Sequence, residues 1–185
     1  PRPLQGGDVV DSDSIESLTS GAVNSLTTPE RLTPSLSRLF GYVVAEGYIS
    51  ESESTASVTV TNADEEIIED TITCIESLGL RATKRTHHTN DAVELACCSS
   101  VELVDFIREI EPAMLEPSAA QRIPECLFRA TPENKRAFLR AYVDSEGTVS
   151  RNEREIAVGS MSRELLDGVQ TLLLTFGITS HLEAR

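Results

Sequence analysis

Apolar positions along the chain follow two periods, one typical of helices and one typical of strands, and the two alternate in a fixed order. Leu39, Tyr42 and Val43 recur at the spacing of one helix face, whereas the stretch 55–61 alternates β-branched and polar residues as a strand does. Over 33–110 this alternation predicts a helix, two strands, a helix, two strands and a final helix.

The predicted boundaries come from the N-cap residues, glycines and prolines that flank the periodic stretches. The first part of the chain is predicted to begin with a helix at 33–46 and a hairpin whose strands are 48–50 and 55–61. A helix that begins at Asn62 or Asp64 and stops at Gly79 follows. The last elements of this part are a hairpin with strands at 80–86 and 92–98 and a turn at 87–91, and a helix at 101–110. After a connector that contains three prolines, the order begins again with a helix from Thr131, a hairpin of 148–150 and 155–160, a helix from Ser162 to Gly177 and a strand at 178–184.

Two nine-residue segments carry this repeat most clearly. Leu-Phe-Gly-Tyr-Val-Val-Ala-Glu-Gly at 39–47 and Leu-Arg-Ala-Tyr-Val-Asp-Ser-Glu-Gly at 139–147 share Leu, Tyr, Val, Glu and Gly in register, and their glutamates are 100 residues apart. Self-similarity at a fixed period indicates a structure built from two related units.

Each of these segments places two small residues on one face of its helix. Gly41 and Ala45 are four residues apart, as are Ala141 and Ser145. Small residues at that spacing let two helix backbones approach closely. We therefore expect the two motif helices to pack directly against each other.

The glutamate of each segment stands in an unfavourable place for its own helix. Glu46 and Glu146 occupy the last turn, where the helix dipole disfavours a carboxylate by roughly 0.3–1 kcal/mol. Gly47 and Gly147 follow where a left-handed C-terminal cap is expected. A carboxylate so placed in both copies predicts a cation nearby, and the alternative is two ordinary helix ends with solvent-facing glutamates.

The paired motif resembles the LAGLIDADG, or DOD-type, family of homing endonucleases, in particular the two-motif kind found inside inteins. The match includes the first Leu, the small third and seventh positions, the acidic eighth and the final Gly; Val44 departs from the family's sixth-position Asp, which Asp144 keeps. The stretch 121–128 is similar to the segment that precedes the second motif in intein endonucleases. The resemblance covers about 32–185.

This resemblance implies an α+β fold of two pseudo-symmetric αββαββα repeats, whose antiparallel sheets form a saddle, in a monomer that acts as a pseudo-dimer. The second repeat is incomplete. The implied domains are a linker or flanking intein segment at 1–30, a first half at 31–112, and a connector with the second half at 113–185. We expect the chain to be part of a longer, intein-containing protein that undergoes protein splicing.

The resemblance also implies a hydrolase that cuts both strands of double-stranded DNA with a divalent metal, which we expect to be Mg²⁺. Glu46 and Glu146 are then the catalytic residues and metal ligands, joined by the carbonyls of Ala45 and Ser145. The basic residues predicted to contact DNA are Arg81, Lys84, Arg85, His87, His88, Arg151 and Arg154. Two alternatives are a DNA-binding protein of this fold without cleavage, and a decayed intein insert that folds but does nothing.

The formal net charge of −14 is unusual for a DNA-binding protein, which normally carries a basic footprint. Of the 16 basic residues only Lys84 and Lys135 are lysines, and the acidic residues are spread along the chain. Such a composition resembles that of proteins from halophilic archaea, which we adopt as a hypothesis. The alternative is an acidic protein that does not bind DNA.

The remaining composition favours a cytoplasmic protein without a membrane partner. The sequence has no apolar run of membrane-spanning length and no basic-then-apolar signal segment at its N-terminus. Its four cysteines lack CxxC spacing, so we expect reduced thiols and no structural zinc.

Overall fold

A computed structural model describes residues 25–87, 90–150 and 154–183, and its elements follow the predicted order. The first half contains α1 (Pro34–Glu46), β1 (Gly47–Glu51), β2 (Ala56–Asn62), α2 (Glu65–Glu76), β3 (Thr83–His87), β4 (Asn90–Ser99) and α3 (Val101–Ile110). A 3-10 turn (Pro112–Leu115) and the short helix α4 (Glu125–Phe128) form the connector. The second half contains α5 (Pro132–Glu146), β5 (Thr148–Ser150), β6 (Glu155–Ala157) and α6 (Arg163–Leu174).

The longer helices begin at residues whose side chains cap them. Each cap accepts a hydrogen bond from a backbone N–H of the first turn, which would otherwise have no partner. The caps are Thr33, Asp64, Ser100, Thr131 and Ser162. The start of α2, which the sequence left open, is therefore Asp64, while Asn62 accepts a hydrogen bond from the Asp64 N–H.

The first half is built on a four-stranded antiparallel sheet in the order β1-β2-β4-β3. Val58 and Val60 of β2 and Ala96 and Cys98 of β4 are almost fully buried on the face that packs against the helices. The alternate residues of the same strands lie on the opposite face, which we call the outer face, because successive side chains of a strand point to opposite sides. The core therefore lies between the sheet and the helices.

The motif helices α1 and α5 pack side by side, as their small residues predict. A Cβ atom added to Gly41 would lie 2.7 Å from the Phe138 carbonyl oxygen and 2.8 Å from the Ala141 Cβ. These distances are shorter than van der Waals contact, so only glycine fits at this crossing. The α+β fold with two related halves is thus confirmed.

The two motif helices have different surroundings. Leu36, Phe40 and Val44 of α1 are fully buried, and α1 also contacts the 3-10 turn of the connector. Their counterparts 100 residues later are charged and exposed, namely Arg136, Arg140 and Asp144. The motif helices are therefore related in backbone but not in environment.

The second half is smaller than the first within the described residues. Its sheet is the single hairpin β5-β6, in which Val149 and Ile156 face each other while both remain largely exposed. Their counterparts Ile49 and Val58 pack against the core of the first half. Among the described residues no second-half element corresponds to β3, β4 or α3.

The predicted strand at 178–184 is therefore wrong for 178–183, while residue 184 lies outside the described part. A strand needs a neighbour for its backbone hydrogen bonds, and no described strand lies beside this segment. Instead, the Gln170 side chain donates to the Ser180 carbonyl at 2.9 Å. β6 ends at Ala157 rather than at the predicted residue 160, and no described third strand lies beside it to extend the pairing.

Some boundaries shift for local reasons. β3 begins at Thr83 rather than at Leu80, which is buried ahead of the strand. α6 ends at Leu174, and the turn after it reaches Gly177, whose φ is +74°. Gly79 has a φ of +78° at the matching place after α2, so these two glycines hold the left-handed turns of the repeat.

The end of the predicted linker at 1–30 makes specific contacts where it is described. Leu26 is buried and its N–H donates to the Glu102 carboxylate at 2.7 Å. The Thr27 N–H donates to the Leu78 carbonyl, also at 2.7 Å. Residues 1–24 lie outside the described part, and the domain boundaries stay a prediction.

Two further expectations concern membrane spans and cysteines. Within the described residues no helix is long and apolar enough to cross a membrane. Cys74, Cys97, Cys98 and Cys126 are all unpaired.

Candidate active site

The C-terminal ends of α1 and α5 bring Glu46 and Glu146 into one electrostatic environment. Both residues are half-buried. Burial and the negative charge of Glu146 raise the pKa of Glu46, and burial raises the pKa of Glu146. A site that disfavours ionised carboxylates in this way would be stabilised by a cation placed between them.

The glycine after each glutamate has a different role from the one predicted. Gly47 and Gly147 have extended backbones, with φ of −85° and −77°, so the expected left-handed caps are wrong. A Cβ on Gly47 would lie 2.4 Å from the Val43 carbonyl oxygen, and one on Gly147 would clash with the Val143 carbonyl oxygen even more closely. Glycine is needed because the chain turns tightly against the preceding helical turn as it enters the strand.

The atoms around the glutamates suit a hard divalent cation. Ala45 and Ser145, whose carbonyls precede the two carboxylates, are half-buried, and the Ser145 hydroxyl is buried without a hydrogen-bond partner in the described structure. Carboxylate, carbonyl and hydroxyl oxygens are ligands that Mg²⁺ and Ca²⁺ prefer. No group of three His, Cys, Asp or Glu residues gathers as a metal cluster within the described residues. Two carboxylates and neighbouring backbone oxygens are thus the fitting donor set.

The outer face of the four-stranded sheet begins at this site. The Thr61 hydroxyl donates to the Glu46 carbonyl at 3.5 Å, which joins the end of α1 to β2. The cross-strand register then sets the outer-face residues into three rows. The rows are Ser50, Ser57 and Ser99; Tyr48, Thr59, Cys97 and Thr83; and Thr61, Leu95 and Arg85.

These rows contain no carboxylate, although the protein is strongly acidic. Arg85 is their one charged residue, and hydroxyl groups make up most of the rest. Glu51 and Glu94, the acidic residues of the paired register beside these rows, lie on the helix-facing side with Val58 and Ala96, as the alternation of the strands requires. These three rows therefore bring no negative charge to the outer face.

The basic residues predicted to contact DNA separate into different surroundings. Arg81 is exposed just before β3, and Arg85 and His87 follow on that strand. Arg154 is exposed beside β6 with a positive φ of 54°. His88 and Arg151 lie outside the described residues.

Lys84 does not belong with Arg85. It pairs with Ala96 on the helix-facing side, where its ammonium contacts Glu65 and lies 2.8 Å from the Glu94 carboxylate. Hydrogen bonds to Glu65 and then Glu94 raise the pKa of Lys84. Lys84 and Arg85 were predicted to act together because both are basic. The alternation of side chains along a strand predicts instead that they lie on opposite faces of the sheet.

Two polar features near the site were not predicted. The Tyr42 hydroxyl donates to Asp70 at 2.7 Å, and the Arg38 Nε donates to the same oxygen at 2.8 Å. The equivalent Tyr142 hydroxyl is buried without a partner in the described structure. The shared tyrosine of the repeat was visible in the sequence, but Asp70 was not visible as its partner because its counterpart is Gly168.

The model of the LAGLIDADG-like domain family matches residues 33–111 and 133–185, which include both motif helices and both glutamates. The chain belongs to this family. Its two matched segments correspond to the two halves of the fold, separated by the connector.

Curated relatives match most of this chain but only a small part of their own length. Glutamine–fructose-6-phosphate aminotransferase of Methanocaldococcus jannaschii is 25% identical over 84% of the chain and 14% of the relative. The RNA polymerase subunit Rpo1C of the same organism is 28% identical over 91% of the chain and 19% of the relative. A probable translation initiation factor IF-2 of Thermococcus kodakarensis is 31% identical over 66% and 11%.

Solved structures share the fold at low sequence identity. The homing endonuclease I-DmoI, in complex with DNA and Mn, has a TM-score of 0.60 at 15% identity and covers 83% of this chain and 85% of its own. The N-terminal LAGLIDADG domain of DUF199/WhiA has a TM-score of 0.55 at 12% identity and covers 95% and 80%. The likeness at these identities establishes the LAGLIDADG fold.

Proposed function

We propose that this chain is the homing endonuclease domain of an intein, which cuts both strands of a specific DNA duplex by metal-dependent phosphodiester hydrolysis. The observation that carries the proposal is the pair of half-buried glutamates at the ends of two packed, sequence-related helices. Each half then supplies one catalytic carboxylate, Glu46 or Glu146, to one strand of the duplex.

The metal site follows from the donor atoms. Glu46 and Glu146, with the carbonyls of Ala45 and Ser145, would hold Mg²⁺ or a similar divalent cation. I-DmoI structures with DNA are described with Mn and with Ca, and another with Mg, which supports a divalent metal here. Such a metal stabilises the negative charge that develops on the attacking and leaving oxygens of a phosphodiester.

The outer face of the four-stranded sheet is the proposed DNA-binding surface. Its serine and threonine hydroxyls can donate and accept hydrogen bonds, so they suit base edges as well as phosphates. The three paired rows beside the glutamates contain no carboxylate, which lowers the electrostatic repulsion between this part of the surface and DNA in a protein of net charge −14. Arg81, Arg85, His87 and Arg154 are the described basic residues that we propose as phosphate contacts.

The intein context is supported by the fact that the relatives have names with unrelated activities. An aminotransferase, an RNA polymerase subunit and an initiation factor have unrelated activities, yet each shares this segment over less than a fifth of its length. A segment common to unrelated hosts carries a function of its own. An endonuclease inserted into its host is such a function, and the host of the present chain is not implied by any of these names.

The acidic composition is proposed to be an adaptation to a saline cytoplasm. Only two of 16 basic residues are lysines, and most of the carboxylates among the described residues are exposed. High salt screens their mutual repulsion. The chain would then act as a monomer at salt concentrations that weaken phosphate contacts.

The proposal is tested by selection followed by cleavage. The purified chain is incubated with a library of randomised DNA duplexes in KCl and EDTA, bound duplexes are enriched, and Mg²⁺ or Mn²⁺ is then added. We expect one duplex family to be enriched and then cut in both strands. Enrichment without cleavage in either metal would contradict the nuclease and leave a DNA-binding domain. Failure to enrich any duplex would contradict both.

A further inference from the structure

We infer that Tyr48 reads the base pairs next to the centre of the DNA site, on the side of the first half. The inference rests on the proposed function and adds a residue that determines specificity. Tyr48 lies two residues after Glu46, so it is the first outer-face side chain beyond the proposed active site. The twofold relation of the halves places the glutamates at the centre of any bound duplex, and Tyr48 beside that centre.

The strand geometry fixes the direction of this side chain. Gly47 and Ile49 flank Tyr48, and Ile49 packs against the core on the helix-facing side. Tyr48 therefore lies on the outer face, opposite Thr59, in the row that continues to Cys97 and Thr83. It stands at the edge of the longest of the three outer-face rows.

The exposure of Tyr48 is unusual for this protein. All eight aromatic residues of the chain lie within the described ranges, and Tyr48, at 50% exposed, is the most exposed of the eight. The other two tyrosines, Tyr42 and Tyr142, are buried in the core. The exposed half of this ring lies among hydroxyl groups on the outer face, where it is available for a contact outside the molecule.

A tyrosine at this position suits the major groove. Its ring can contact the methyl group of thymine, and its hydroxyl can donate to an acceptor or accept from a donor on a base edge. The second half has Thr148, which is also exposed, at the equivalent position. The two sides of the centre are therefore read by side chains of different size, so the preferred DNA is not a palindrome there.

The contact can be measured without cleavage. The chain contains no tryptophan, so Tyr48→Trp introduces a single indole reporter on the outer face. The matched control is Leu174→Trp, at a residue that is 55% exposed at the end of α6 in the second half and is not part of the proposed DNA-binding surface. In EDTA, titration with the duplex selected by the wild-type chain should change the emission of the Tyr48→Trp variant and leave that of the control unchanged. Equal changes, or none in either, would overturn the inference.

The specificity is tested by repeating the selection with Tyr48→Thr, which copies the second half. We expect the preference at one or two base pairs beside the centre to fall about tenfold, the effect of one well-read base pair, while the outer positions are unchanged. A preference that is unchanged in Tyr48→Thr would overturn the inference.

Different results would contradict the proposed function and the proposed role of Tyr48. If the wild-type chain enriches no duplex, the proposed function falls. If the wild-type chain selects and cuts a duplex but Tyr48→Thr selects the same central base pairs, the proposed function stands and Tyr48 is only an exposed surface residue. The free energy of unfolding should be nearly the same in all these variants, because Tyr48 and Leu174 are exposed.

Discussion

Two tyrosines at equivalent positions of the repeat differ in their hydrogen bonds, which gives a test at the scale of single residues. The Tyr42 hydroxyl donates to Asp70, whereas the Tyr142 hydroxyl is buried without a partner in the described structure. Tyr42→Phe should lower the free energy of unfolding by about 1 kcal/mol, since Asp70 keeps its ion pair with Arg38 and some exposure to water. Tyr142→Phe should be neutral or stabilising, because it removes a buried hydroxyl without removing a bond.

Urea denaturation of the two variants measures this difference directly. Each change deletes the same atom at the same place in the repeat, so each variant is the control for the other. A loss of stability in Tyr142→Phe equal to that in Tyr42→Phe would show that the Tyr142 hydroxyl has a partner.

Gly47 is required for a reason other than the predicted left-handed cap. Its φ is negative, and a side chain at this position would clash with the backbone of Val43. Gly47→Ala should lower the free energy of unfolding by about 1–3 kcal/mol, the usual effect of overpacking. Gly159→Ala is the control, since a Cβ there would meet nothing within 4 Å. Thermal denaturation that found Gly47→Ala as mild as Gly159→Ala would contradict this explanation.

At the scale of the elements, the crossing of α1 and α5 holds the two glutamates together. Gly41→Leu should push the helices apart, because even a Cβ would lie 2.7 Å from the Phe138 carbonyl oxygen. We expect a loss of about 1–3 kcal/mol or more in the free energy of unfolding, measured by urea denaturation. Wild-type stability in this variant would mean that the helices are not in contact at Gly41.

The helices were the part of the fold that the sequence determines most directly. Their starts depend on local caps such as Thr33 and Thr131, and their ends on glutamate–glycine pairs, all within a few residues. The strand at 178–184 could not be predicted in the same way, since a strand exists only with a neighbour from elsewhere in the chain. The strand period could have placed Lys84 on the opposite face from Arg85, but it could not identify Glu65, the partner of Lys84 on α2, because that residue belongs to another element.

The repeated motif indicated which residues to place at the candidate site, and their catalytic and metal-binding roles stay a prediction. The repeat identified Glu46, Glu146 and the small residues between the helices, because these positions must be the same in both halves. It could not identify Asp70 or Tyr48, whose counterparts are Gly168 and Thr148. Features that differ between the halves are those that self-similarity cannot reveal.

At the scale of the whole molecule, the charge of −14 makes stability depend on salt. At molar KCl the Debye length falls to about 3 Å, so repulsion among the carboxylates is screened. The melting temperature should therefore rise between 0.1 M and molar KCl, as measured by circular dichroism. A melting temperature that stays constant or falls over this range would contradict adaptation to a saline cytoplasm.

The proposed cleavage of DNA depends on Glu46 and Glu146 acting as catalytic, metal-binding groups. Glu46→Gln and Glu146→Gln keep the size of each side chain and remove its charge. Without metal both variants should fold and bind DNA as well as the wild type. Burial disfavours the ionised form of each glutamate, as the raised pKa values indicate, so removal of the charge should not destabilise the protein.

The most direct measurement is cleavage of the selected duplex with Mg²⁺, with the two strands labelled separately. Each single variant should lose double-strand cleavage, with any remaining nicking confined to one strand and to opposite strands in the two variants. The double variant should cut neither strand. If the double variant cuts both strands at the wild-type rate, Glu46 and Glu146 are not the catalytic groups and the proposed mechanism is wrong.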